Sequence, residues 1–138
     1  MKLISKLAIT SAVLALAFIS TANAQSMNVN VPFGFHAGKL SLPAGTYKVE
    51  VNQAAQRVKL NQLDGKYNCF LMVRDFGSAG LAEHGSLVFS QYGSSYFLTR
   101  VKTAGIEGDA EMFTSPAERE FAKTQPEAKE IALVASGR

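Results

Sequence analysis

The sequence predicts an all-β fold, a single antiparallel sandwich or small barrel of seven to eight short strands with one short helix near the C-terminus. Three observations carry that prediction. Apolar and polar residues alternate with period two along most of the chain from Met27 onward. Turn signals, among them Asp64-Gly65 and Gly93-Ser94, recur between those runs. A helical signature occurs in one place, after Ser115.

The first run sets Met27, Val29, Val31, Phe33 and Phe35 on one face. Pro32 cannot donate to a ladder, so this is an edge strand or one with an interrupted edge. The short loop "HAGK" leads to Leu40 and Leu42, and "LPAG" has the residues of a type I turn, with Pro43 second and Gly45 fourth. In "TYKVEV", Tyr47, Val49 and Val51 point inward while Lys48 and Glu50 face water. "RVKLNQ" follows, and Asp64-Gly65 marks a primed hairpin turn. Tyr67 to Arg74 is apolar on both parities, which predicts a central strand packed on two sides and a core position for Cys69. The loop Gly77–Gly85 precedes "SLVFSQY" and "SYFLTRV", which flank Gly93-Ser94. Ser115-Pro116-Ala117-Glu118 reads as an N-cap, a proline at the first helical position and a capping-box carboxylate. The helix "PAEREFAK" is expected to dock through Ala117 and Phe121, and "EIALVAS" supplies a last strand.

Residues 1–24 have the layout of a secretory signal peptide. Lys2 and Lys6 open it, an uncharged run from Leu7 to Ile19 follows, and Ala22-Asn23-Ala24 suits a signal peptidase. That run is short of the roughly 20 residues a membrane-spanning helix needs. The expected organisation is therefore a signal peptide (1–24) and one β-rich domain (25–138), periplasmic or extracellular, with no integral membrane segment after cleavage. Strands of six to eight residues also fall short of the ~10 of an outer-membrane barrel. Of the 14 Lys and Arg, two lie in the signal and none of the 11 Asp and Glu do, so the formal charge of +3 drops to +1 on cleavage. A balance so near zero, with no clustered basic run, argues against a nucleic-acid partner.

The residue pattern offers little chemistry. Two separated histidines and one cysteine fall short of a zinc set, and no cofactor is expected. Serines are plentiful, but none lies in a nucleophile elbow, and Asp75, His84 and Ser86 form a triad only in chain order. Glu107, Asp109 and Glu111 read as a solvated acidic loop. Most aromatic residues belong to the core. Tyr92 and Tyr96, which flank a hairpin, and His36 and His84, in glycine-rich loops, are the candidate ligand or partner contacts.

Taken in order, "VPFGFHAGKLSLPAGTYKV", "LVFSQYGSSYFLTRV" and "SPAEREFAK" resemble a group of short secreted bacterial proteins of the acidobacterial kind. The resemblance covers most of residues 27–135. It implies an exported, β-rich protein and assigns no substrate or active residue.

The expected function is an exported non-catalytic β-domain that binds a protein or small-molecule partner or has an envelope role. The alternatives are a carrier of a small apolar ligand in a barrel cavity, an unrecognised hydrolase, and self-association through the edge marked by Pro32. N-terminal sequencing of the exported protein should begin at Gln25; a start at Met1 would remove the signal peptide from this reading.

Overall fold

The structure, a computed structural model, describes residues 25–77, 80–125 and 127–136, so the signal-peptide reading of residues 1–24 lies outside the described residues. Strand β1 (Gln25–Val31) pairs antiparallel with β4 (Gly45–Asn52), β4 with β5 (Arg57–Gln62), and β5 with β6 (Asn68–Phe76). β6 pairs with β9 (Ala110–Met112), and β9 with β8 (Ser95–Lys102) at Arg100 and Val101. β8 also pairs with β7 (Ser86–Tyr92), and β7 with β10 (Lys129–Val134). The small hairpin of β2 (Phe35–Ala37) and β3 (Leu40–Leu42) joins β8 through a parallel pairing of His36 with Phe97.

Among the described residues the outcome is all-β with one short helix, α1 (Pro116–Thr124), as expected, arranged as one large mixed sheet and not a closed barrel. Its ten strands exceed the expected seven or eight because the run from Met27 to Phe35 breaks after Val31 into β1 and β2, which pair with different strands, and because β9 is only three residues long, below what alternation reveals. The two ends of the sheet meet at one point, where Ser136 N–H donates to the Asn28 carbonyl at 3.0 Å. No helix among the described residues is long and apolar enough to cross a membrane.

The core follows the alternation of β4. Tyr47, Val49 and Val51 are buried, with Lys48 and Glu50 on the other face. In register, Met27, Val49, Leu60 and Cys69 form one inward row across four strands, and Val51, Val58 and Leu71 form the next. Burial is worth roughly 1.5–3 kcal/mol for each large apolar side chain, which is why this register holds. Tyr47 is fully buried, and its hydroxyl donates to the carbonyl of Pro43 four residues upstream. That bond fastens the corner between β3 and β4, which do not pair with each other. Phe35 meets both Tyr47 and Phe89 edge-on, joining the two halves of the core.

Three local expectations need correction. The strand packed on two sides is β7, in which Ser86 to Phe89 are all buried, and not β6. In β6 the outward residues Phe70 and Met72 are 59% and 64% exposed, while Leu71 and Val73 face the core and Cys69 is half-buried against it. The Asp64-Gly65 connection is wider than a two-residue primed turn: Gln62 N–H donates to Tyr67 O at 2.9 Å, and Gly65 does not take positive φ. Gly93, at φ +62°, does supply the conformation that a two-residue II′ hairpin requires between Tyr92 and Ser95.

Helix α1 begins as its sequence dictates, with Ser115 Oγ accepting from Glu118 N–H at 3.1 Å and Pro116 at its start. It docks through Phe121, whose ring lies 5.6 Å from Phe97 and 6.4 Å from Tyr92. Ala117 is exposed instead of docked, and Glu118 takes the buried position on that face. Glu118 lies three residues before Phe121 and so shares its side of the helix.

Burial, with lesser contributions from Cys69, Tyr67 and Asp64, pushes the Tyr47 hydroxyl up to about 12. The neutral phenol is the form the fold accepts, so its contribution is complete below about pH 10 and is lost as pH rises toward 12. Tyr47→Phe should cost about 1 kcal/mol in urea unfolding at pH 7 and should flatten the alkaline fall in stability. Burial likewise raises the Glu118 carboxyl above its ordinary range, so the ionised form opposes folding at neutral pH. Glu118→Gln should therefore stabilise the fold at pH 7, with the gain vanishing as pH falls below the ordinary carboxylate range of about 4. Paired denaturant titrations at the two pH values check this.

Candidate functional site

The outward face of β6 opens a groove of about 400 Å³ beside the β2–β3 hairpin and the strap from β9 into α1. Phe70 and Met72 come from β6, Leu40 from β3, and Phe113 from the strap. Leu71 and Met112 contribute to its floor side, where the core begins. The four outer side chains are 46–64% exposed, a concentration of large apolar surface around one concavity.

Each wall has a local cause. Leu71 is in the inward row, so period two sends Phe70 and Met72 to the opposite face. The "HAGK" loop is a tight hairpin, with Ala37 opposite Leu40 and Gly38 at φ +60° giving a second II′ turn. A Cβ on Gly38 would sit at ordinary contact distance, 3.6 Å, from Leu71, so the glycine is required by conformation and not by space. That turn places Lys39 in the groove lining. Ser115 and Pro116, the cap and first residue of α1, form another part of the wall.

The groove is electrostatically one-sided. Lys39 is the charged residue of its lining, which contains no carboxylate. Phe70 also belongs to a smaller depression of about 120 Å³ with Arg57, Lys59, Glu50 and Asn52. Arg57 Cζ lies 5.3 Å and Lys59 Nζ 5.8 Å from the Phe70 ring centroid, both within cation–π range. The Glu50 carboxylate is engaged by Lys48 at 3.3 Å, and neither Arg57 nor Lys59 forms an ion pair among the described residues. Other carboxylates are drawn elsewhere. Arg74 binds Glu111, and Arg100 binds Glu130 at 2.7 Å and Asp109 at 3.6 Å. The acidic segment is thus no solvated loop: Asp109 is 6% exposed, Glu111 is a strand residue, and Glu107 alone stands exposed.

The residues singled out from sequence do not line this groove. Tyr92 is buried beneath α1, where it contacts Phe97 and Phe121. Tyr96 stacks on Phe33 at 3.8 Å, and its hydroxyl accepts from Gln91 Nε2 at 3.2 Å. His36 stacks on Phe97 at 4.8 Å with its Nδ1 3.0 Å from Ser41 Oγ, and no carboxylate is hydrogen-bonded to its ring among the described residues. His84 is exposed in the loop before β7. Asp75 is exposed and Ser86 buried, with no hydrogen bond linking either to His84 among the described residues. Burial pushes the Cys69 thiol up, which disfavours the thiolate. No group of three or more metal-binding side chains occurs among the described residues.

Sequence reasoning missed Leu40, Phe70, Met72 and Phe113, as well as the cations beside them. A signal was present in "YNCFLMV", whose outward parity is apolar while the neighbouring β5 presents Arg57 and Lys59 in register with Met72 and Phe70. A covered central strand would not meet two cations there. Comparison of the chain with protein-family models, curated proteins and solved structures gives no match.

Proposed function

We propose that this protein is an exported, non-catalytic binding domain whose working surface is the groove at Phe70. The observation that carries the reading is a single concavity ringed by Leu40, Phe70, Met72 and Phe113, each about half exposed or more. Its volume lies at the small end of ligand pockets. The interior of the sheet is filled by Tyr47, Phe89, Leu60 and Leu87, so an apolar ligand is accommodated on this outer face and not in a calyx. Export is supported by the layout of residues 1–24. The non-catalytic reading is supported by the His36–Ser41 pair, which has no orienting acid among the described residues, and by a mostly apolar groove lining in which Lys39 is the charged residue.

Titration of the mature protein with the neutral fluorophore N-phenyl-1-naphthylamine tests the proposal. Saturable one-site binding is expected, weakened about tenfold or more by Phe70→Ala combined with Met72→Ala. Leu63→Ala, at a position 51% exposed and outside the groove lining, should leave it unchanged. Absence of saturable binding, or equal losses in both variants, would overturn the assignment.

A further inference from the structure

We infer that the natural occupant of the groove is a monomeric anionic amphiphile with one alkyl chain, its acid head beside Arg57 and Lys59. The inference rests on the binding role proposed above and adds the ligand's chemical class. Two adjoining sites share one side chain. Phe70 forms a wall of the apolar groove and also a wall of the depression that holds Arg57 and Lys59. A molecule lying along that ring has hydrocarbon surface on one stretch and two cations within 6 Å of the ring centroid on the next.

The charge balance selects the sign of the head group. Glu50 faces Lys59 across the β4–β5 ladder, but its carboxylate is held by Lys48. Arg57 and Lys59 are left without an acidic partner among the described residues, and Lys39 adds a third positive charge from the groove lining. A neutral apolar ligand would leave these cations unused, and a cationic one would be repelled. An acid head gains charge-assisted hydrogen bonds from the guanidinium and the ammonium, and Asn52 supplies an amide in the same depression. The concavity favours a single chain over a flat lipid surface, since a bilayer cannot enter a groove of about 400 Å³.

Calorimetric titration of the mature protein with decanoate, dodecanoate and tetradecanoate, each below its micellar concentration, tests this against dodecanol. Affinity should rise about fourfold per methylene while the groove fills. Dodecanoate should bind at least tenfold more tightly than dodecanol, by a margin that shrinks with added salt. Arg57→Gln combined with Lys59→Gln should remove that margin and leave dodecanol binding intact, which also shows that the variant is folded. Equal binding of acid and alcohol by the wild type would overturn the inference, as would a double variant that weakens both alike. Cosedimentation with phosphatidylglycerol vesicles in the absence of dodecanoate binding would overturn it in favour of a membrane surface. Should the neutral fluorophore bind while the acid shows no preference, only this inference falls; should neither bind, the groove assignment falls with it.

Discussion

Register in β4 is the constraint on which the remaining structure depends. This strand is hydrogen-bonded on both sides, to β1 and β5, and its inward row is Tyr47, Val49 and Val51. A slip of one residue would turn Lys48 and Glu50 into the core and the valines into water. The Tyr47 hydroxyl, bound to Pro43 O, joins the strand to the corner before it. From that register β5 and β6 inherit theirs, so the outward positions of Arg57, Lys59, Phe70 and Met72 follow from the inward ones of Val58, Leu60 and Leu71. The groove is a consequence of core packing several strands away.

Much of this was readable in the sequence wherever a signal is local. The alternation of β4, the Gly93 hairpin and the Ser115 cap each depend on residues close together in the chain, and each forms as its chemistry requires. The reading failed where the answer depends on what covers a face. "YNCFLMV" is apolar on both parities, and nothing within it says that α1 settles on β7 and β8 and leaves β6 open. Ala117 and Glu118 show the same limit. Spacing to Phe121 favoured Ala117 for docking, yet the helix places Phe121 on the Tyr92–Phe97 pair and carries Glu118 inward with it. Tyr92 was visible as an aromatic residue at a hairpin end, but the helix that covers it lies more than twenty residues further along.

Charge arrangement on the outer face follows a similar long-range logic. Arg100 reaches Asp109 and Glu130, and Arg74 reaches Glu111, so one set of ion pairs spans β6, β8, β9 and β10. The exposed ones, Arg74–Glu111 and Arg100–Glu130, add little stability individually. Their larger effect is on distribution, because they occupy the carboxylates of one half of the sheet. A chain whose charges nearly cancel in sum thereby presents a positive locality around Phe70. Composition reports the sum, and only the fold reports the locality.

The single bridge between Asn28 and Ser136 has a consequence for how the molecule is assembled. It joins the first strand to the residues after the last across 108 positions of chain, and contacts so distant in sequence are slow to form. Until Ser136 reaches Asn28, β1 is held by β4 alone. During that interval the free edge of β1 is open to any other extended chain, with Pro32 limiting how far such pairing can run. The seam is thus a late contact, since Asn28 waits on a residue far along the chain.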